Sequence, residues 1–478
     1  MIENSVFDDD KMNEECGIFG IFNHPEASFI TYLGLYALQH RGQESTGIVS
    51  SDNEKLYRHT GMGLVREVFG SREILDSLVG KHAIGHNRYS TTGGSLLANT
   101  QPVLINFKAG QLAAAHNGNL TNSAKLRSEM ENDGSIFTTT IDTEVIMHLV
   151  ARSKSPTIAE MIRDSLAAVE GAFSVLFLGK DAMIAARDPY GVRPLSVGKL
   201  GESFVIASET CAFDLIGAEL IRDVKPGEVM KISDKGLETL WILPQKVKRY
   251  AHCIFEHIYF SRPDSIVFGN SVDDVRKAFG KQLAKEYEIP KNADFVMGVP
   301  DSATAAALGY AEGAKIPYQL GLIRNHYTGR TFIHPEQNKR DFSVKVKFNP
   351  IISQLKDKII VVVDDSIVRG TTMRRIMKLI RAAGPKEIHL RISSPPVIFP
   401  CFYGINMSIK EKFIANNKTI EEIREYFKVD SLHYLSIDGM LSVLPKEKRK
   451  NFCCACFNGD YPVSIKDCVD GQPMGCNY

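Results

Sequence analysis

The pattern of hydrophobic and polar positions changes once along the chain. Up to about residue 240, short β-type runs dominate, among them AIGHNRYST, QLAAAHNGNL, AFSVLFLG, MIAARD and SFVIASE. Helical periodicity interrupts these runs near residues 28–40, 122–131, 142–152 and 157–169. Strand-rich segments broken by a few helices predict stacked layers of helix and sheet.

Beyond about residue 270 the pattern becomes helix, strand, helix. Helical segments cover 272–288, 303–315 and 373–383, and short apolar strands cover 295–299 and 359–363. Strands that alternate with helices of this length are typical of a parallel sheet with crossover helices. The second part of the chain is therefore predicted to be an α/β domain, whereas the first part is α+β.

The change of pattern predicts two domains behind a short leader. We place the boundary within residues 240–255, around Trp241, and assign 16–245 to the first domain and 246–478 to the second. Residues 1–15 form the acidic leader. The chain has 478 residues, 44% hydrophobic and 24% charged, which suits a globular protein.

Charge and hydropathy narrow the choice of partners. The formal net charge is +1, and Lys and Arg are scattered, so bulk electrostatics favours neither nucleic acid nor a membrane surface. No apolar run approaches the roughly 18 residues of a membrane span. The first residues, MIENSVFDDDKMNEE, are acidic where a signal peptide would be basic and then apolar. We therefore expect a cytoplasmic protein that holds any anionic substrate at a local site.

The most specific string is KIIVVVDDSIVRGTT, an apolar strand that ends in Asp364 and Asp365 and leads through a turn into a helix. Open α/β sheets bind substrates at the carboxyl ends of their strands, so we expect the two acids near ribose hydroxyls and a magnesium ion. The turn that follows consists of Arg369, Gly370, Thr371 and Thr372. Its N–H groups and hydroxyls, at a helix N-terminus, suit a phosphate monoester. The alternative is that the two acids only cap the helix.

The whole string resembles the fingerprint of type I phosphoribosyltransferases, which bind phosphoribosyl pyrophosphate (PRPP). This resemblance implies a phosphoribosyltransferase domain with a parallel sheet, and it adds Ser366 to the PRPP contacts. A second loop, GVPDSAT, also follows an apolar strand. By the same resemblance, Asp301 contacts PRPP, and the hydroxyl of Ser302 is a magnesium ligand.

The segment RNHYTGRTFI, between these two strings, resembles the flexible loop that closes over PRPP in glutamine-PRPP amidotransferases. The resemblance implies a PRPP contact from Arg330, and closure of the loop would keep water from the reactive C1 centre. Related proteins often carry Lys where this chain has Arg324 and Arg where it has His326. The chain therefore keeps the positive charge at Arg324 and departs from the family pattern at His326.

Cys16 begins a buried strand abruptly, in CGIFGIF. A cysteine in an apolar strand is most often an inert core residue. This segment, however, resembles the start of class II glutamine amidotransferases, which are N-terminal nucleophile (Ntn) hydrolases with an αββα sandwich. In that family a leader is removed, and the free α-amine, with a pKa of about 8, acts as the base for its own thiol. We therefore predict a cut between Glu15 and Cys16.

Three later motifs support a glutamine site. In HNRYST, Arg88 could grip the α-carboxylate; in HNGN, Asn117 and Gly118 could supply the two oxyanion donors; and in IDTE, Asp142 could hold the α-ammonium group. The alternatives are a surface arginine on a strand edge, a hairpin turn and a helix cap. The motif QHRGQES resembles the same family, which implies that Arg41 lies beside the nucleophile and positions the glutamine.

The cysteines form a further candidate site. Nine cysteines, an odd number, argue against a secreted disulfide framework. The segments AHCIFEHIYFSRPDS, FPCFYGI and CCACFNGDYP resemble those that bind a [4Fe–4S] cluster in the iron–sulfur branch of the amidophosphoribosyltransferases. The implied ligands are Cys253, Cys401, Cys453 and Cys456. The spacing of the cysteines alone is weak evidence for a metal site, and unlinked buried thiols or a zinc ion remain alternatives. By this resemblance Cys454 is a spectator. No role is assigned to Cys211, Cys468 or Cys476.

The resemblance to amidophosphoribosyltransferases extends from Cys16 to about Val463 and implies a reaction. The thiolate of Cys16 would attack the side-chain amide of glutamine, and the released ammonia would displace magnesium-bound pyrophosphate from C1 of PRPP to give 5-phosphoribosylamine. The resemblance also implies feedback by purine nucleotides and a homodimer or homotetramer. One alternative delivers the ammonia to a sugar phosphate or to aspartate, and the DDSIVRGTT string argues against it. The other is a regulator that binds PRPP without turnover, against which the glutamine-site residues argue.

Overall fold

The computed structural model describes residues 16–89, 94–325, 347–406, 410–469 and 472–473. Four predictions lie wholly or partly outside the described residues: the leader 1–15, the HNRYST motif at Ser90 and Thr91, the loop residues His326 and Arg330, and Cys476. Within the described parts, the chain forms two antiparallel sheets followed by one parallel sheet.

The N-terminal part is built on two sheets, each formed by antiparallel neighbours. The first sheet has seven strands, in the spatial order Glu219–Asp223, Ser196–Leu200, Ser203–Ala207, Gly17–Phe22, His82–Arg88, Ser45–Ser51 and Leu56–Met62. The second sheet has six, in the order Gly236–Ile242, Glu228–Ser233, Met183–Arg187, Gly171–Leu178, Gly110–Leu120 and Val103–Phe107.

The two sheets pack face to face because their central strands are apolar on both sides. In the first sheet, Ile18 belongs to the core shared with Leu176 of the second sheet. Its neighbour Phe19 points the other way and packs with Leu35 of a helix. On the outer face of the second sheet, Val175 packs with Ile146 of another helix. The layers are thus helix, sheet, sheet, helix, and the predicted αββα sandwich is confirmed.

The helices predicted from periodicity in this part are all present. The helices are Ala27–Ala37, Val65–Val68, Arg72–Asp76, Ser123–Asn132, Asp142–Arg152, Ile158–Ala168 and Cys211–Ile216, with a 3₁₀ turn at Leu97–Asn99. The first of them ends at Ala37, whereas the prediction was 28–40. It ends early because residues 39–42 form a turn, in which Gln39 Nε2 donates to the carbonyl of Gly42 at 2.5 Å.

The C-terminal part contains the predicted parallel sheet. Its strands, in spatial order, are Phe295–Gly298, Ile359–Asp364, Glu387–Ile392 and Ser431–Tyr434, all parallel. The helices of this part are Val272–Glu286, Thr304–Ala314, Ile352–Leu355, Thr371–Ala382, Ile414–Asn417, Ile420–Phe427, Ile437–Ser442 and Ala455–Asn458, with 3₁₀ turns at Lys410–Lys412 and Arg449–Asn451. Since parallel strands end at one edge, the loops after the first two strands lie side by side.

Short elements complete the C-terminal part. The paired two- and three-residue strands are His252–Cys253 with Phe452–Cys453, Ile266–Val267 with Asn270–Ser271, Leu322–Arg324 with Phe348–Pro350, and Cys468–Val469 with Gln472–Pro473. A single-turn π-helix, Glu256–Phe260, lies between the antiparallel sheets and the first helix of the parallel part. Among the described residues, no helix is both long enough and apolar enough to cross a membrane.

Candidate active sites

Cys16 lies at the start of the strand Gly17–Phe22, in the middle of the first sheet. It is buried, and its Sγ lies 3.6 Å from the carbonyl oxygen of Tyr89. Burial raises the pKa of the Cys16 thiol to about 11, although the nearby Arg88 guanidinium opposes this shift. A thiol in this setting is not a thiolate at neutral pH by itself, so a nucleophilic role requires a neighbouring base.

Arg88 is not the surface residue that the alternative interpretation described. Its strand, His82–Arg88, pairs with the Cys16 strand on one side and with Ser45–Ser51 on the other, and its side chain is buried. Nη1 lies 3.5 Å from Glu44 Oε2. The guanidinium therefore stands on the strand next to that of Cys16. Ser90 and Thr91 of the same motif lie outside the described residues.

Asn117 and Gly118 lie inside the strand Gly110–Leu120, so the hairpin-turn alternative is wrong. Gly118 has φ +148°, and a Cβ atom there would stand 2.0 Å from the carbonyl oxygen of Ala172. Only glycine fits this position. Asn117 Nδ2 lies 3.5 Å from Ser208 Oγ, which itself accepts the N–H of Ile18. Ser208 thus links the strand of the nucleophile to the strand that carries Asn117.

Asp142 is the first residue of the helix Asp142–Arg152, whose N-cap residue is Ile141. Its Oδ2 accepts the backbone N–H of Leu120 at 2.9 Å, and its Oδ1 lies 3.4 Å from His116 Nδ1. Burial alone would raise the pKa of Asp142, but His116 and the Leu120 N–H outweigh it, so the pKa lies below the ordinary value. The carboxylate is therefore ionised and faces the Asn117–Gly118 strand, where it could hold an ammonium group.

Arg41 lies beside the nucleophile, on the backbone side. Its Nε donates to the carbonyl oxygen of Cys16 at 3.1 Å. Its Nη2 donates to Glu256 Oε1 at 2.8 Å, and its Nη1 donates to Glu209 Oε1. The side chains of all three charged residues have no solvent exposure. Arg41 is thus bound to two carboxylates and to the residue that the sequence analysis predicts to be the nucleophile.

The acids of the second site close the strand Ile359–Asp364. Asp364 and Asp365 are buried, and Ser366 Oγ donates to Asp365 Oδ1 at 2.8 Å. Within the described residues, the buried Oδ2 of Asp365 has no hydrogen-bond partner. The following helix begins at Thr371, and Gly370, with φ +79°, precedes it. The acids therefore do not cap that helix, and the capping alternative is wrong.

The second loop lies at the same edge, because Val299 N donates to the carbonyl of Val363 in the neighbouring strand at 2.9 Å. Asp301 follows Pro300 after this strand, and its Oδ2 accepts from Arg324 Nη1 at 2.7 Å. Both side chains of this ion pair are about half exposed. Ser302 is partly buried. The structure therefore brings both predicted PRPP loops to one edge of the parallel sheet, with Arg324 beside them.

The remaining residues of the phosphate turn surround the start of the helix Thr371–Ala382. Arg369 and Thr372 are partly buried, whereas Thr371 is exposed. A Cβ atom at Gly370 would stand 2.7 Å from Ile414 Cδ1, so glycine is required by both space and φ. The turn therefore presents backbone and hydroxyl groups at a helix N-terminus, the arrangement that binds phosphate elsewhere.

The four predicted cluster ligands line one cavity. Its walls include Cys253, Cys401, Cys453 and Cys456. The parallel pairing of Cys253 with Cys453 joins two of these segments, and the N–H groups of Ile398 and Phe399 bind the carbonyl of Cys456. Burial raises the pKa of Cys253 and Cys456, and raises that of Cys453 to about 12.

The described cysteines are all free thiols. Among the described residues, no group of three or more Cys, His, Asp or Glu side chains is arranged so that it could hold a metal ion. The iron–sulfur assignment therefore stays a prediction from resemblance. Of the cysteines without a role, Cys211 lies 3.8 Å from Glu209, and Cys468 donates to the carbonyl of Thr121 at 3.6 Å.

Sequence reasoning missed the partners of Arg41. Glu209 lies 168 positions from Arg41, and Ser208 lies 190 positions from Ile18 and 91 from Asn117. Glu256 is 215 positions from Arg41 and stands within AHCIFEHIYFSRPDS, a segment used only for Cys253. The one available signal was an acidic residue in an otherwise apolar and aromatic run.

Two family descriptions match the chain. Residues 86–214 match "Glutamine amidotransferase domain", and residues 268–393 match "Phosphoribosyl transferase domain". The first segment includes Arg88, Asn117, Gly118 and Asp142 of the predicted glutamine site. The second includes the acids at 364 and 365.

Whole-chain comparisons cover both segments together. The chain is 49% identical, over 95% of its length and 95% of the other's, to the amidophosphoribosyltransferase of Bacillus subtilis. It is 50% identical to amidophosphoribosyltransferase 1, chloroplastic, of Arabidopsis thaliana, over 95% of this chain and 80% of that one. A solved structure of glutamine phosphoribosylpyrophosphate amidotransferase from B. subtilis, complexed with ADP and GMP, superposes with a TM-score of 0.89 at 48% identity, covering 95% of this chain and 99% of that one.

Proposed function

The chain belongs to the amidophosphoribosyltransferase family, the glutamine-dependent PRPP amidotransferases of purine biosynthesis, and we propose that it runs this reaction through the residues described above. The reaction converts glutamine, PRPP and water into glutamate, pyrophosphate and 5-phosphoribosylamine. Ammonia made at the first site is consumed at the second. The observation that supports this division of labour is the presence in one chain of a buried cysteine at a strand start and a buried acid pair at a parallel-sheet edge.

In the glutamine half, Cys16 is the nucleophile. Removal of residues 1–15 would leave its α-amine free to accept the thiol proton, which the raised thiol pKa makes necessary. The Sγ attacks the side-chain carbonyl carbon, and the Asn117 amide and Gly118 N–H stabilise the oxyanion. Ammonia leaves with the proton returned by the α-amine, and water then hydrolyses the thioester to glutamate. Arg88 binds the α-carboxylate of glutamine, and Asp142 its α-ammonium group.

In the PRPP half, the turn at residues 369–372 holds the 5-phosphate, and Asp364 and Asp365 bind the ribose hydroxyls. Asp301 and Ser302 approach the pyrophosphate from the neighbouring strand. Ammonia forms a bond to C1 as the C1–O bond to pyrophosphate breaks. Among the described residues, the buried Oδ2 of Asp365 has no hydrogen-bond partner. This supports the assignment, because a buried carboxylate oxygen needs a donor that the substrate can supply.

Magnesium fits the same edge. The oxygen ligands offered there, the carboxylates of Asp364 and Asp365 and the hydroxyl of Ser302, are of the kind that Mg²⁺ takes, usually few in number and together with substrate phosphates. When bound, the ion would neutralise charge on the leaving pyrophosphate. In the PRPP half, Arg330 is proposed to contact PRPP, although it lies outside the described residues.

We assign a [4Fe–4S] cluster to the cavity between Cys253, Cys401, Cys453 and Cys456 because four thiols from three chain segments line one space. Such clusters take four Cys thiolates. The cluster would hold the C-terminal segment against the short strand His252–Cys253. Its role would be structural or oxygen-sensing. Zinc is the alternative, and iron and sulfide analysis of anaerobically purified protein separates the two.

Further parts of the proposal concern regulation and context. The B. subtilis structure is complexed with ADP and GMP, and we extend feedback by purine nucleotides to this chain. We also propose a homodimer or homotetramer in the cytoplasm, where the free thiols of the described residues would stay reduced. Size-exclusion chromatography with light scattering, with and without AMP and GMP, tests the assembly.

Pyrophosphate release tests the function. The full chain should release pyrophosphate from PRPP with glutamine or with ammonium chloride, and should release glutamate in the first case only. No release with either nitrogen source would overturn the proposed function. Release that occurs with ammonia and never with glutamine would overturn the glutamine half alone.

A further inference from the structure

A buried network of charged side chains connects Cys16 to Glu256, which lies in the segment that leads into the second domain. The Cys16 carbonyl oxygen accepts from Arg41 Nε at 3.1 Å, and Arg41 binds Glu256 through both terminal nitrogens, at 3.0 and 2.8 Å. Arg193 Nη1 lies 3.7 Å from Glu256 Oε1. Glu209 accepts from Arg41 on the other side. The side chains of these two arginines and two glutamates have no solvent exposure.

The two carboxylates keep the network neutral. Burial alone would raise the pKa of Glu256, but Arg41 and then Arg193 outweigh it, and the result is a lowered pKa. Two buried cations and two buried anions therefore balance next to the Cys16 backbone. Removing one of them would leave an uncompensated charge in a dry site, where its field is weakly screened.

Glu256 is held in place from the second domain. It begins the π-helix Glu256–Phe260, and Ser261 Oγ donates to its Oε2 at 2.6 Å. Arg276, on the helix Val272–Glu286, donates to the carbonyls of His257 and Ser261 at 2.7 Å each. The carboxylate that faces Arg41 is therefore fixed by contacts outside the glutamine domain. Irregular helical turns of this kind often occur at functional sites.

We propose that Glu256 is a positioning residue of the glutamine reaction, which completes the glutamine site from the second domain by fixing and neutralising the Arg41 that holds the Cys16 carbonyl. The inference rests on the proposed function. It assigns Glu256 two effects on Cys16. Geometrically, the Arg41–Glu256 pair fixes the backbone from which both the α-amine and the thiol project. Electrostatically, it sets the charge that these two groups experience.

Other charged groups also face the site. Those near the Cys16 thiol are Arg88, Asp142 and Glu44. Those on the carbonyl side are Arg41, Arg193, Glu209, Glu256 and His40, whose Nε2 lies 2.8 Å from Glu209 Oε1. Arg187 also interacts electrostatically with Glu256, and Arg262 and Arg276 do so with Glu209. In each single variant below, the other groups stay in place, so the substitution changes one charge of the set.

The sign of the effect follows from the charge removed. The plot of kcat/KM for glutamine against pH should have a rising limb, where the α-ammonium group of Cys16 loses its proton. Glu256→Gln leaves excess positive charge, which disfavours the ammonium form, so this rising limb should move to lower pH. Arg41→Met leaves excess negative charge and should move it to higher pH. Each shift should be about one pH unit, as for a unit charge several ångströms away in a protein interior.

The experiment measures kcat/KM for glutamine between pH 5 and 9, using processed full-length protein. The variants are Glu256→Gln, Arg41→Met, the double variant and Glu256→Asp. The double variant restores charge balance, and Glu256→Asp keeps the negative charge. In both, the rising limb of kcat/KM should stay near its wild-type pH, and the maximal kcat/KM should be lower. Glu228→Gln is the matched control, because Glu228 is a buried carboxylate of the glutamine domain that pairs with Arg222 and is not part of the Cys16 network.

Ammonia-dependent pyrophosphate release on the same samples reports whether each variant is folded. Opposite shifts for Glu256→Gln and Arg41→Met, cancelled in the double variant, would support the inference. Equal or absent shifts would overturn it, even if both variants lose activity. If Glu256→Gln fails to fold, Arg41→Met alone decides, since a limb that does not move to higher pH overturns the inference. Absence of glutamine hydrolysis in the wild-type chain would overturn the proposed function, and the inference with it.

Discussion

The two halves of the chain hold their charged groups in different ways. In the glutamine half, Arg41 and Arg88 are buried and contact carboxylates, and the carboxylate of Asp142 contacts His116 and a backbone N–H. In the PRPP half, the Asp301–Arg324 pair is half exposed, and a carboxylate oxygen of Asp365 is buried without a partner among the described residues.

This difference separates a preorganised site from one that its substrate completes. A site with fixed partners has little to rearrange when charge develops during reaction. A buried carboxylate oxygen without a donor is costly until a ligand supplies one. We therefore expect substitutions in the glutamine half to act on turnover, and those in the PRPP half to act on substrate and metal binding as well.

The largest expected effect separates the halves completely. Cys16→Ala removes the nucleophile, so glutamine-dependent pyrophosphate release should fall to background, by about 10⁴-fold or more. Ammonia-dependent release should stay within about threefold, since no other bond-forming group is removed. Cys211→Ala, which removes another buried thiol of the same domain, should keep both activities. Retained glutamine-dependent activity in Cys16→Ala would refute the assigned nucleophile.

The next effect concerns the oxyanion. Asn117→Ala should lower kcat for glutamine hydrolysis by about 10²- to 10³-fold with little change in KM, as expected for a donor that acts mainly in the transition state. Steady-state glutamate release measures both parameters. Asn122→Ala is the control, because the Asn122 amide donates to the carbonyl of Ala168 and accepts from Glu170 N, away from the oxyanion donors. A change in KM alone would show that Asn117 binds the ground state instead.

In the PRPP half, Asp365→Asn should lower pyrophosphate release by about 10²-fold with either nitrogen source, and should raise the magnesium or PRPP concentration needed for half the maximal rate. Glutamine hydrolysis measured without PRPP should persist. Asp294→Asn is the matched control, since Asp294 binds Ile359 N at the opposite end of the strand that leads to Asp364. Loss confined to the glutamine-dependent reaction would contradict the division between the halves.

The smallest expected effect is at the exposed pair. Arg324→Lys keeps the charge beside Asp301, and an ion pair this exposed contributes only about 0–1 kcal/mol to stability. The free energy of unfolding and the KM for PRPP should both be nearly unchanged, as measured by denaturant titration and by pyrophosphate release. A KM for PRPP raised about tenfold or more would show that the PRPP half depends on a planar, bidentate contact from Arg324.

Local sequence patterns predicted most of the fold and the chemical groups of both halves. The apolar strand that follows Cys16 and the apolar strand that ends at Asp364 are local features, since each strand is adjacent in sequence to its candidate site residue. The same holds for Gly118, whose φ of +148° requires glycine. These positions could be found because a backbone constraint and a side-chain role coincide in a few residues.

The partners of Arg41 could not be predicted in this way. Glu256 and Glu209 reach it across separations of 215 and 168 residues, and no periodicity connects such positions. Their pairing follows from how the two domains pack, so it becomes visible only in three dimensions. The same applies to the cavity shared by the cysteines, of which only Cys453 and Cys456 are near each other in sequence.

One measurement tests the central claim that Cys16 becomes the first residue and provides both the nucleophile and its base. Protein purified anaerobically is analysed by intact mass, and the same sample is assayed for pyrophosphate release that requires glutamine and PRPP together. We predict a mass lacking residues 1–15, together with dual-substrate activity. Full glutamine-dependent activity from protein whose leader is intact would contradict the claim, because a peptide nitrogen at Cys16 could not accept the thiol proton.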